Sequence, residues 1–112
     1  MIKSIGLLTR KEGLSHEDFV NYWLELRAPL AHAVPGVRRY VQSHIVEERA
    51  RPDIPTTDVE IDGIAELWYD DRAAIERANA SPEAEELHAD GSRFIGRIKS
   101  FITEEKLIIP RG

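Results

Sequence analysis

Hydrophobic and polar positions alternate along this chain in two rhythms, one with a period of two and one with a period near 3.6. Residues 2–9 form a short apolar run closed by a polar turn at Lys11-Glu12-Gly13, which predicts a first strand. Ser15 then reads as a helix N-cap, with Asp18 at the third helical position and Leu14 and Phe19 placed as a hydrophobic staple. The spacing predicts a helix from about His16 to Leu26 or slightly beyond. Its apolar stripe is Phe19, Tyr22 or Trp23, Leu26 and Leu30. Pro29 disfavours helical geometry at Ala28, so the helix is expected to stop or kink there. After a turn at Pro35-Gly36, residues 37–46 alternate as a second strand. Val37, Val41 and Ile45 share one face, and Arg38, Tyr40, Gln42, His44 and Val46 share the other.

The second half repeats the alternation of strand and helix. Residues 47–62 are polar, contain Pro52 and Pro55, and exceed the usual loop length, which favours a lid, a dimer contact or partial disorder. Gly63 to Tyr69 is a third strand, with Ile64, Glu66 and Trp68 on one face and Ala65, Leu67 and Tyr69 on the other. Asp70-Asp71 caps a helix containing Ala74, Ile75 and Ala78. Ser81-Pro82 starts a further helical piece that Asp90-Gly91 ends. A short helix over 92–99 and a fourth strand over 101–109 complete the chain. The order β-α-β-β-α-β predicts an α+β, ferredoxin-like domain over residues 1–112, with both helices on one face of a four-stranded antiparallel sheet. The other face then carries Tyr40, His44, Val46, Ile64, Glu66 and Trp68, too apolar to stay wet, which predicts a homodimer with a pocket on that face.

Composition narrows the function. A net charge of -5 with no basic run gives no footprint for nucleic acid and disfavours an acidic membrane surface. The chain has no cysteine, so disulfides, thiolate catalysis and cysteine-bound metal are excluded, as expected of a cytoplasmic protein. There is no HxH or HExxH spacing, so a metal is not expected. His44 and Glu66, placed on one face, are the candidate acid/base pair. A carboxylate beside Trp68 in a closed space suits proton transfer. Arg27 suits an anion, because a guanidinium makes two parallel hydrogen bonds to a carboxylate or enolate. Tyr40 and Trp68 read as pocket walls, Tyr22 as a core residue or a hydroxyl aimed at the pocket, and His32 as a surface residue or one at the pocket mouth. His88, before a helix end, suits the helix dipole.

Gly13 to Trp23, Ala28-Pro29-Leu30, Pro35 to His44, Asp62 to Trp68, Phe94-Ile95 and Thr103-Glu104-Glu105 together resemble the EthD family. The resemblance covers nearly the whole chain. It implies a dimeric α+β barrel of ferredoxin-like subunits and chemistry without metal or organic cofactor. It does not imply one reaction: the family includes methylmuconolactone methylisomerase-like proteins, accessory proteins of ether degradation, and dehydratases or decarboxylases of polyketide pathways. The family pattern usually has His before Ala-Pro-Leu, where this chain has Arg27. An arginine does not serve as a general base but does hold an oxyanion. Two readings follow. One is an isomerase, cyclase or dehydratase acting on a small lactone-like or aromatic-derived acid. The other is a non-catalytic binder of a hydrophobic ligand in an oxygenase or ether-degradation pathway.

Overall fold

A computed structural model of the chain describes residues 1–112. Strand β1 spans Ile2–Arg10. The Ser15 hydroxyl accepts the Asp18 N–H at 3.0 Å and starts α1, His16–Tyr22. The helix continues as a π-helical segment, Trp23–Arg27, and then as α2, Ala28–His32. Gly36, with φ +85°, turns the chain into β2, Arg39–His44. Residues 45–62 lead to β3, Gly63–Tyr69. Asp71 caps α3, Arg72–Asn79, and Ser81 caps α4, Pro82–Gly91, before β4, Ile95–Glu104. No helix is long and apolar enough to cross a membrane.

The strands form one antiparallel sheet in the order β2-β3-β1-β4. Its element order and sheet are ferredoxin-like, as the sequence pattern predicts, with the second helical connection split into α3 and α4. Two apolar clusters hold the helices against one sheet face. Leu8, Phe19, Trp23 and Phe94 form one. Ala31, Val34, Tyr69, Ala74, Ile75, Ala78, Ala84 and Leu87 form the other. Burying such side chains contributes roughly 1.5–3 kcal/mol each, so these clusters dominate the fold's stability.

Three expectations are corrected. The first helical stretch does not stop before Pro29. Proline lacks an N–H and its ring crowds the carbonyl four residues back, that of Glu25. The π turn immediately before it accommodates both defects, since its hydrogen bonds span five residues and it holds more residues per turn. That widening changes the buried stripe. Phe19, Trp23, Arg27 and Ala31 now follow one another inward, while Leu26, expected in the core, is 58% exposed.

The C-terminal half also shifts. There is no helix over 92–99, and β4 begins at Ile95. The fourth strand was expected over 101–109, yet its pairing ends where Glu104 meets Ile2, the first residue of β1. Beyond that point β1 offers no backbone partner, and Leu107, Ile108 and Ile109 stand exposed despite their strand-like pattern.

The third correction concerns the sheet's faces. Opposite residues in an antiparallel pair point to the same side. Tyr40 pairs with Leu67, Gln42 with Ala65 and His44 with Gly63, whereas Val41 pairs with Glu66 and Arg39 with Trp68. Tyr40 and His44 therefore face the helices. Glu66 and Trp68 lie on the opposite, uncovered face and share no surface with them.

The long 45–62 connection is pinned at its end. The buried Asp62 carboxylate accepts the Arg10 backbone N–H at 2.8 Å, the Arg10 guanidinium at 2.9 Å and the His16 Nδ1–H at 2.8 Å. Burial opposes its ionisation, but these hydrogen bonds and the charge of Arg10 outweigh burial and leave its pKa below the ordinary value. A depressed carboxylate stabilises the fold above its unfolded pKa and ceases to do so as pH falls through the folded one. Asp62→Asn is therefore expected to lose about 1.5–3 kcal/mol at neutral pH. The gap to wild type should close below about pH 4, measured by denaturant unfolding across pH. A gap independent of pH would refute the charged role.

Candidate functional site

The two apolar clusters do not merge completely. Between them, under the helices, lies a cavity of about 160 Å³. It is small beside the ~300–1,000 Å³ of drug-sized pockets, and so suits a small molecule. Its floor owes its depth to short side chains on the helix-facing side of the sheet. Ser4 and Gly6 of β1, Ala65 of β3 and Ser100 of β4 adjoin one another in register. Its walls are mostly apolar, including Leu8, Trp23, Ala31, Leu67, Tyr69, Leu87 and Ile98. Into this setting the chain brings Arg27, Tyr40, Asn79 and His88.

Arg27 is the unusual member. Its Nη1 atom is buried and has no hydrogen-bond partner. It lies against Gly91, where an added Cβ would come within 3.1 Å of it, and its guanidinium carbon lies 5.3 Å from the centre of the Phe94 ring. Burial pulls its pKa below the usual arginine value, while the charges of Tyr40, Asp90 and Tyr22 act in the other direction. Asp90 does not neutralise it by contact. The Asp90 carboxylate takes the Tyr22 hydroxyl at 2.7 Å through one oxygen, and its other oxygen is also buried without a partner. A buried donor left unsatisfied costs about 1–3 kcal/mol, so this arrangement stores binding capacity for an anion.

Tyr40 is held by a local network. Its hydroxyl oxygen accepts from Trp23 Nε1–H at 3.1 Å and from the Gln42 amide at 3.0 Å. Burial raises its pKa, while the hydrogen bonds from Gln42 and Trp23 and the positive charge of Arg27 oppose that rise. Arg27 and Tyr40 thus combine a fixed cation and a phenol in one water-poor space, where hydrogen bonds to a developing oxyanion are strongest.

The other sequence candidates fall elsewhere. His44 stacks on Trp23, with ring centres 5.0 Å apart, and its Nε2 bonds Gln42 Oε1 at 2.8 Å. It stands behind Trp23 and does not line the cavity. Glu66, on the uncovered face, is paired with Lys3 Nζ at 2.7 Å. Trp68, on that same face, donates to Glu105 and lies under both Lys3 and Arg39, each 4.9 Å from its ring centre. His44 and Glu66, expected as neighbours on one face, are therefore on opposite faces of the sheet, and the cavity within the chain lies on the helix side. Tyr22 packs on Phe94 and anchors Asp90, outside the cavity lining. His32 is exposed at the end of α2 and does not converge with His44 and Glu66. His88, read from sequence as a helix-end cation, does line the cavity from α4, at its exposed rim. The helix that Ser81 caps carries it there; the sequence marks that helix's start but not the face it turns to the cavity.

Such an arrangement defines a class: a ferredoxin-like α+β domain with a small apolar, cation-bearing cavity between its helices and its sheet. The chain belongs to the EthD domain family, whose model matches residues 11–98. Over 106 residues it is 28% identical to a 4-carboxymethyl-4-methylbutenolide mutase of Pseudomonas reinekei, covering 94% of this chain and 98% of that protein. A crystal structure of an EthD family protein from Bacillus halodurans superposes with a TM-score of 0.74 at 24% identity, covering 95% of this chain and 99% of the other. A dimeric ferredoxin-like protein of unknown function from Thermobifida fusca gives a TM-score of 0.66 at 14% identity, covering 91% and 88% of the two chains.

If Arg27 is a binding cation and not a structural one, the fold is more stable without it. Arg27→Met keeps the apolar stem and removes the unpaired charge. Its unfolding free energy is expected to rise by about 1–3 kcal/mol, measured by denaturant titration. A loss of stability of similar size would assign Arg27 to the scaffold.

Proposed function

We propose that the protein is a small-molecule enzyme that moves a proton within a lactone-like or aromatic-derived acid, by isomerisation, cyclisation or dehydration. One observation carries the proposal: the half-buried Arg27 guanidinium, its buried Nη1 without a partner, beside Tyr40 in a mostly apolar cavity. A ring fills the apolar space and a carboxylate satisfies Arg27. The name of the Pseudomonas reinekei relative describes a molecule with both features, a butenolide ring with a carboxymethyl arm.

In this proposal Arg27 holds the carboxylate with two parallel hydrogen bonds. His88 takes a proton from a carbon next to the substrate carbonyl, a task suited to an imidazole, whose ring nitrogen accepts a proton. The electron pair moves to the carbonyl oxygen, where Tyr40 donates a hydrogen bond to the growing negative charge. Return of the proton to a different position completes an isomerisation. The base, the electrophile and the anion holder all come from the chain, so the scheme needs no cofactor. Glu66 and His44 have no place in it, because neither lines the cavity.

Ligand binding without turnover is a second reading, favoured by one fact: the anion-holding pair is half-buried, while His88 stands at the exposed rim. The two are separated by His88→Gln tested against carboxymethyl-substituted butenolides. For an enzyme, kcat falls roughly 10²–10⁴-fold with little change in substrate affinity. Wild-type protein that binds such acids but turns none over supports the binder.

We further propose that the uncovered sheet face meets a second copy of the chain. Ile5, Val41, Ile64 and Phe101 lie on that face, and Phe101 is 44% exposed. Two ferredoxin-like neighbours, from Thermobifida fusca and Bacteroides fragilis, are described as dimeric. Sedimentation at micromolar concentration is expected to give twice the 12.7 kDa of one chain. A Phe101→Glu substitution should halve the mass, and a wild-type mass of one chain would end the idea.

A further inference from the structure

We infer that Gln42 is a positioning residue that commits the Tyr40 hydroxyl to donate its proton into the cavity. The inference rests on the reading above, in which the cavity holds an anionic ligand. Its ground is the direction of each hydrogen bond around Tyr40. Indole N–H is only a donor, so Trp23 Nε1 occupies one lone pair of the phenol oxygen at 3.1 Å. The Gln42 amide nitrogen lies 3.0 Å from the same oxygen and 2.9 Å from the Trp23 carbonyl. A carbonyl only accepts, so the group facing it is the NH₂, and its second hydrogen goes to Tyr40. Gln42 Oε1 is left to face His44 Nε2 at 2.8 Å, which makes His44 the donor in that pair.

Every direction is then determined. His44 donates to Gln42, Gln42 donates to the Trp23 carbonyl and to Tyr40, and Trp23 donates to Tyr40. With both lone pairs occupied, the phenol can contribute only its O–H, which no protein acceptor takes, and Tyr40 lines the cavity. Next to Arg27, itself a donor without an acceptor, Tyr40 makes a cavity wall that accepts nothing and donates twice. Such a wall selects a carboxylate or enolate oxygen over a ligand hydroxyl or ammonium. His44 thereby gains a part in the site without touching the ligand, as the outermost member of the chain of donors.

The test compares wild type, Gln42→Leu, Gln42→Glu and Tyr40→Phe, with each Gln42 variant also placed on the Tyr40→Phe background. Benzoate is the probe, its affinity read by calorimetry. Gln42→Leu is expected to weaken benzoate roughly 3- to 10-fold, the effect of one hydrogen bond, and the loss should vanish when Tyr40 is already Phe. Gln42→Glu keeps the shape of the side chain and offers the phenol an acceptor, drawing its proton away from the cavity. It should weaken benzoate at least as much, and it guards against a packing defect in the leucine variant. Independently of any ligand, the Tyr40 phenol, assigned by difference from Tyr40→Phe in ultraviolet titration, should ionise at higher pH in both Gln42 variants. An equal benzoate loss on both backgrounds, or a phenol titration that does not move, would overturn the inference. If wild type fails to bind benzoate, the anion-site reading falls alone, and the phenol titration decides the role of Gln42.

Discussion

The site depends on what a proline does inside a helix. Pro29 cannot donate a backbone hydrogen bond and crowds the carbonyl of Glu25. The chain absorbs this by widening one turn, Trp23–Arg27, and then resumes an α-helix. The wider turn holds more residues, so the inward position passes from Leu26 to Arg27. The same backbone defect that relieves a steric conflict thus brings a cation under the helices, where no carboxylate contacts it.

Trp23 ties this cation-bearing helix to the sheet. Its ring is 1% exposed and fills the cluster with Leu8, Phe19 and Phe94. Its indole N–H and its carbonyl serve the Tyr40–Gln42 network, and its ring face carries His44. Core packing and site geometry therefore share one side chain. Deleting a buried tryptophan costs about 3–5 kcal/mol, so the energy that holds the fold also keeps the phenol in place. The placement is rigid by construction, in keeping with the general need of a binding constellation for locked supporting groups.

Much of the fold was legible in the sequence. Caps at Ser15, Asp71 and Ser81 and the two hydrophobic periods mark the elements because those signals are local. The errors arose where a distant partner decides. Leu107, Ile108 and Ile109 alternate like a strand, but β1 ends before they find a mate. Tyr40 and Glu66 looked like neighbours because each sits on the polar-aromatic side of its own strand, yet which sides coincide depends on register across the 45–62 connection. Nothing local reports that parity. Arg27 was recognisable as an anion holder from its chemistry alone. His88 was not recognisable as a cavity residue, since a histidine near a helix end reads as solvated. One signal in the sequence does point to the cavity: Ser4, Gly6, Ala65 and Ser100, small residues on one sheet face, mark a place where the core is thin.

Gly63 on β3 lies directly beneath Trp23. A Cβ at that position would come 2.3 Å from Cζ3 of the indole, closer than any packing allows. The two positions, forty residues apart, therefore constrain each other: a side chain at residue 63 needs the space Trp23 fills, and giving up Trp23 gives up a group that orients Tyr40. The wall that meets negative charge thus stands on a glycine: the absence of one methyl group under the indole is what lets the donors above it hold their places.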